Sequence, residues 1–178
     1  MKPVRAAPAP APNNAASQPY SPKRDVGARS ANDEDDPYLS RARPGTPTVC
    51  PTCRAFFTDG RWTWQKAPKD AHEQVCPACQ RIHDRFPAGY ITIKGEFFNE
   101  HKDEIVALLT AREKHEKENR PLQRIMGMDA KKDGSFEITT TDSHIARTLA
   151  EAVHNAYKGD LKLRYSRDEN LLRAIWKR

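Results

Sequence analysis

Two short motifs of the same form, Cys50-Pro51-Thr52-Cys53 and Cys76-Pro77-Ala78-Cys79, limit what this chain can fold into more than any other feature. Together they hold all 4 cysteines of the 178-residue sequence, with the 22 residues from Arg54 to Val75 between them. Two C-x2-C pairs at such a separation form the ligand pattern of a four-cysteine metal site, and a gap of this length leaves room for a hairpin and a loop between two ligand knuckles. Proline inside each knuckle fixes one backbone torsion and helps turn both sulfurs toward one ion.

Cys-Pro-x-Cys is also the form of a redox dithiol, in which one thiolate attacks a disulfide. That reading calls for a single motif at the start of a helix. Here Cys53 leads toward a hairpin and Cys79 precedes a polar stretch, which favours the metal. Four thiolates suit iron as well as zinc, and a structural Zn²⁺ bound by Cys50, Cys53, Cys76 and Cys79 is the expectation. Four protein ligands close the tetrahedron, so a catalytic ion with an open position is not expected. His72 and His83 are expected to be exposed polar residues rather than ligands.

Residues 1–45 alternate alanine and proline from Ala7 to Pro12, then pass through basic and acidic clusters with few large apolar side chains. Such a segment has too little to bury to offset the entropy of ordering, and a disordered tail is expected. Residues 46–86 form the metal module. Within it, Asp59-Gly60 between Phe56-Phe57 and Trp62-Thr63-Trp64 is a hairpin signal; Trp62 and Trp64 share one side of their strand and are expected to pack against the metal site or the next domain rather than to stack on bases.

Residues 87–178 change rhythm. Gly89–Gly95 alternates as a strand with Ile91 and Ile93 inward; Asn99 is placed to cap a helix carrying Ile105, Leu108, Leu109 and the stem of Arg112. Leu122–Met128 and Ser135–Thr141 read as a hairpin around Lys131-Lys132-Asp133-Gly134. Asp142 caps a second helix with the stripe Ile145, Leu149, Ala152, Val153, Ala156 and Tyr157, and Leu161–Ser166 is a strand with Leu161, Leu163 and Tyr165 inward. Leu171–Lys177 adds a further strand. The expected fold class is α+β: a four-cysteine zinc ribbon followed by a ferredoxin-like split βαβ domain (βαββαβ) with an extra C-terminal strand.

No apolar run reaches bilayer length and none near Met1 resembles a secretory signal, so a cytoplasmic protein without a membrane partner is expected. No nucleophile elbow, phosphate loop, metalloprotease motif or carboxylate pair is found, which points away from an enzyme and from a small-molecule substrate. The formal charge is +6. A divalent ion on four thiolates would leave about +4, so the placement of charge matters more than its sum.

That placement favours the C-terminus. Between Leu161 and Arg178, six cations face only Asp168 and Glu169. With Leu161 and Leu163 inward, Lys162 and Arg164 emerge on the opposite face of the sheet, joined by Tyr90 and Lys94 and, from the last strand, Arg173 and Lys177. A basic open sheet face with one aromatic is similar to surfaces on which small RNA-binding domains work. The outward positions expected on the second central strand, Glu137, Thr139 and Thr141, argue against base stacking there and leave phosphate contact or shape recognition.

The paired knuckles followed by an αβ domain resemble the N-terminal region of the nonsense-mediated-decay-three family, export adaptors of the large ribosomal subunit, and its small bacterial relatives. The resemblance spans about Cys50 to Arg178 and rests on the four cysteines and the order of elements. Arg54 and Gln80 stand where that family has glycine after each knuckle. It implies association with a ribosomal particle or ribosomal RNA. The functional expectation is a non-catalytic zinc-binding accessory protein on such a particle or on structured RNA. Its competitors are a protein–protein adaptor acting through the ribbon and a thiol-redox protein.

Overall fold

The computed structural model describes Tyr38, residues 44–166 and residues 171–178. The tail expected over residues 1–45 therefore lies outside the described residues except for Tyr38, Pro44 and Gly45, as do Arg167, Asp168 and Glu169.

The first unit is a small four-stranded sheet in the order β3-β2-β1-β4, built from β1 (Thr48–Val49), β2 (Phe56–Thr58), β3 (Arg61–Thr63) and β4 (His72–Glu73). Asp59 and Gly60, both at positive φ, make the tight turn between β2 and β3, a backbone whose twist matches that of the flanking strands. Phe57 and Trp62 face each other across that hairpin, with ring centroids 5.4 Å apart. Helix α1 (Pro77–Asp84) closes the unit.

The second unit starts with β5 (Gly89–Lys94) and continues through a short helix α2 (Glu96–Glu100), the long α3 (Lys102–Asn119), β6 (Ile125–Ala130), β7 (Phe136–Thr140), α4 (Ser143–Tyr157), β8 (Asp160–Ser166) and β9 (Leu171–Lys177). Its sheet runs β6-β7-β5-β9-β8, with β9 parallel to β5 and every other neighbour antiparallel. The α+β class and the order of elements match the sequence expectation, and the extra strand takes a central place. In a split βαβ sheet the last strand would sit beside the first; here β9 folds back from β8 and occupies that slot, moving β8 to the edge. The residues of β9 explain the position: Leu172, Ala174 and Trp176 are all fully or almost fully buried.

One face of this sheet carries the core. Ile91, Ile93, Ile138, Leu172 and Trp176 pack against Ile105 and Leu109 of α3 and against Ile145, Ala146, Leu149, Ala150 and Val153 of α4. Asp142 caps α4 as expected, its carboxylate accepting from the amides of His144 at 2.7 Å and Ile145 at 3.1 Å. Helix α4 comes so close to β5 that a Cβ on Gly89 would stand 2.4 Å from both the Ala146 methyl and the Thr140 hydroxyl. The stripe of α4 thus turns on Ala146 and Ala150, and Ala156, expected inward, is exposed.

Other expectations need correction. Asn99 caps nothing: the chain first makes α2, which buries Phe98, and restarts as α3 after His101. Arg112 lies outside the core and pairs with Glu116 at 3.0 Å. Thr141 is buried past the end of β7 rather than outward on it, and Tyr165, expected inward, is 48% exposed at the far end of β8.

Because β9 is a central strand, its two faces should respond differently to substitution. Leu172→Ala is expected to cost about 2–5 kcal/mol, as for other buried leucines, whereas Ile175→Thr on the opposite face should change stability little. Urea unfolding of both variants checks this.

Candidate metal centre and basic sheet face

The first knuckle is a tight turn at the end of β1. Cys50 donates its amide to the Ala55 carbonyl at 2.8 Å and accepts the Arg54 amide on its own carbonyl at 2.9 Å. The turn places Arg54 at φ 64, the left-handed region where glycine is at ease. The second knuckle needs no such residue because it runs directly into α1. Cys76 is the N-cap of that helix, and its sulfur accepts the Cys79 amide at 3.4 Å. The polar stretch expected after Cys79 is therefore a helix, so one premise used against a redox dithiol does not hold.

All four sulfurs lie within 4.8 Å of one another, and those of Cys53 and Cys76 are 3.7 Å apart. Four sulfurs at about 2.3 Å from a tetrahedral ion would stand roughly 3.8 Å from each other. The cluster thus has the size and donor set for one metal ion. Cys50, Cys76 and Cys79 are buried and Cys53 is half-buried, and the Cys50 sulfur accepts the Cys76 amide at 3.3 Å. Amide-to-sulfur bonds of this kind support thiolates. His72 and His83 stay out of the cluster; both are exposed, and His83 pairs with Asp84.

The residue that sequence reasoning missed is Arg124. It belongs to the second unit, just before β6, and is 7% exposed. Its guanidinium reaches into the cluster, donating to Cys53 at 3.1 Å and Cys79 at 3.4 Å, while its Nε donates to the Pro121 carbonyl at 2.6 Å. A buried guanidinium requires a counter-charge, and the acceptors supplied to it here are sulfurs and one carbonyl. The guanidinium favours negative charge on the sulfurs it donates to, the state a metal requires of its cysteine ligands. The sulfurs divide in their electrostatics: hydrogen bonding to Cys76 most strongly, with Arg124 also contributing, pulls the Cys53 thiol down to about 4 against the opposing effect of burial. The Cys76 thiol is pushed up by its bond to Cys53 and by burial, and burial raises Cys79 to about 11. A charged residue inside the apolar run Leu122–Met128 is the signal that could have drawn attention to Arg124.

Further bonds tie the junction together. The Trp64 indole donates to the Lys117 carbonyl of α3 at 2.6 Å, and the Arg124 guanidinium lies 5.7 Å from the Trp64 ring centroid. The Arg124 amide donates to the Thr141 hydroxyl at 2.9 Å, and Leu122 packs on the cysteine cluster.

The residues expected to contact RNA fall on a single surface, the sheet face opposite α3 and α4. Strand register sets Tyr90 beside Arg173 and Arg173 beside Arg164; Lys162 lies next to Ile175, and Lys94 next to Lys177. The Arg173 guanidinium stacks 4.6 Å from the Tyr90 ring centroid. Lys94 pairs with Asp133 at 3.8 Å and Lys162 with Asp160 at 3.4 Å; Arg164, Arg173 and Lys177 form no ion pair among the described residues, although Asp160 stands across from Lys177 in the β8–β9 register. Glu137 and Asp129 make the other end of the same face acidic, at β7 and β6.

Two outcomes follow for the metal. Purified protein should carry one ion per chain, and chelation should unfold the segment from Thr48 to Asp84, checked by elemental analysis beside circular dichroism. Arg124→Gln should weaken metal binding roughly 10- to 100-fold in a chelator competition, as loss of a hydrogen bond to a ligand does elsewhere, with stoichiometry unchanged.

Among the described residues no helix is long and apolar enough to cross a membrane. No protein-family model, curated protein or solved structure matches the chain. The likeness to the ribosomal export-adaptor family thus rests on the four cysteines and the order of elements alone.

Proposed function

We propose that this chain is a non-catalytic, zinc-stabilised accessory protein that binds structured RNA, including RNA within ribosomal particles, through the basic half of its open sheet face. The observation that carries this reading is the set of Arg164, Arg173 and Lys177 on adjacent strands, none of them in an ion pair among the described residues. Neighbouring strands lie about 4.8 Å apart and alternate residues about 7 Å apart, so these cations, with Lys162 and Lys94, form a compact patch on a rigid surface. Such a patch reads phosphate backbone and shape, not sequence. Tyr90 is already occupied by Arg173, which fits a face built for charge. Zinc is the ion of choice because four cysteines give a closed tetrahedral thiolate site of the structural kind. The resemblance supplies the ribosomal particle as the context.

The adaptor alternative has an observation of its own. Val75, Ile82 and Phe86 are 39%, 40% and 50% exposed on the metal module and would suit a protein partner.

Replacing Lys162 and Arg164 together by glutamine distinguishes the two. Binding to a structured RNA should weaken for all sequences alike, and the salt dependence should become shallower by roughly 0.7–0.9 for each phosphate no longer neutralised. Metal content should be unchanged. If the double variant binds RNA and sediments with ribosomes as the parent does, the adaptor reading takes precedence.

A further inference from the structure

The metal module has a cleft of about 430 Å³ lined by Trp64, Arg54, Gln65, Lys66, Lys69 and Glu73, among others. We infer that this cleft takes an unpaired nucleotide of an RNA strand, with its base on the Trp64 indole and its phosphate among Arg54, Lys66 and Lys69; this rests on the RNA-binding reading above and adds a second contact to it.

Four features of the cleft support the assignment. Its size is that of a small-ligand site. Trp64 is the most exposed tryptophan among the described residues, at 40%, whereas its strand neighbour Trp62 is buried. The bond from its indole to the Lys117 carbonyl, at 2.6 Å, holds the exposed ring in a fixed orientation, so little rotamer freedom remains to be lost when a base stacks on it. The charge is lopsided: three cations face one carboxylate, Glu73, and none of Arg54, Lys66 or Lys69 pairs with an acid among the described residues. An aromatic face surrounded by unpaired cations is the combination that binds single strands without sequence preference.

Arg54 owes its place to the metal. It follows Cys53 directly and stands at φ 64 because the first knuckle must turn there. A residue such as glycine or asparagine would make that turn with less strain, and the arginine present instead is one of the residues that line the cleft. Trp64 is linked to the same centre through Arg124. Loading of the ion and shape of the cleft are therefore coupled.

The test uses the full, metal-loaded chain and oligouridylate as the probe. Titration should quench the tryptophan fluorescence, since Trp62 and Trp176 are buried and Trp64 is the one in reach. Trp64→Leu should lower affinity roughly 5- to 150-fold, the equivalent of removing one base stack, with Trp64→Phe restoring much of it. Lys66→Gln with Lys69→Gln should weaken binding and flatten its salt dependence while metal content stays at one. An abasic oligomer should bind without quenching. The inference is overturned if the lysine double variant binds oligouridylate as the parent does, or if oligoglutamate displaces the probe at equal charge concentration. Should Trp64→Leu lose its metal, the lysine pair, which supplies no ligand, decides. The two proposals fail separately: loss of oligouridylate binding with structured RNA still held by Lys162 and Arg164 removes the cleft alone, and loss of all RNA binding removes both.

Discussion

A guanidinium taken out of water must be met by something negative, and in this protein that partner is a cluster of sulfurs. Arg124 is buried where the two units join, with Cys53 and Cys79 as its nearer sulfur acceptors, Cys76 at 4.0 Å, and the Pro121 carbonyl accepting from its Nε. Neither unit has this arrangement by itself: without the second unit the cysteine module would lose its cation, and without the module Arg124 would lose the sulfurs that meet its charge. Four thiolates on a divalent ion carry two negative charges, and Arg124 offsets half of that. Metal site and domain junction are in this sense one electrostatic object.

That object also fixes the direction in which each unit faces. Trp64 reaches Lys117, Leu122 packs on the cysteines, and Thr141 anchors the backbone of Arg124, so the contacts gather at one end of the larger sheet. The basic face is left uncovered as a result, because α3 and α4 occupy the other side and the metal module sits at the end. The cleft is lined by the metal module alone, and Trp64 ties it to the junction through the Lys117 carbonyl, which places both candidate RNA contacts on a single folded frame.

How much of this is legible in the sequence depends on how local the determinant is. Ligand spacing, the Asp59-Gly60 turn, the Asp142 cap and the alternation of Ile91, Ile93, Phe136 and Ile138 are all written within a few residues, and each is found where the pattern puts it. Arg124 is not legible in the same way: its sulfur partners lie 45, 48 and 71 positions away. Period-two alternation in Leu171–Lys177 reveals which side chains point inward but not which strands will be its neighbours, so its central position emerges only in three dimensions. The six residues of the basic face could be assigned to one side from alternation, whereas the lack of an ion pair at Arg164, Arg173 and Lys177 among the described residues depends on register. Arg54 shows the reverse case. A departure from an expected glycine looks like a defect in the sequence and turns out to be a strained side chain at the rim of a cleft.

The pairing of β5 with β9 has a kinetic meaning. Gly89 lies against Leu172 at the middle of the sheet, so its central seam joins stretches separated by the whole length of the unit. Before that seam closes, β6, β7 and β5 can form one ribbon and β8 and β9 another, each with a bare edge open to pairing with a different chain. Contacts of such high sequence separation slow the search for the native state. A protein built this way spends longer as two half-sheets than one whose strands are joined in chain order, and its exposure to mispairing is concentrated in that interval.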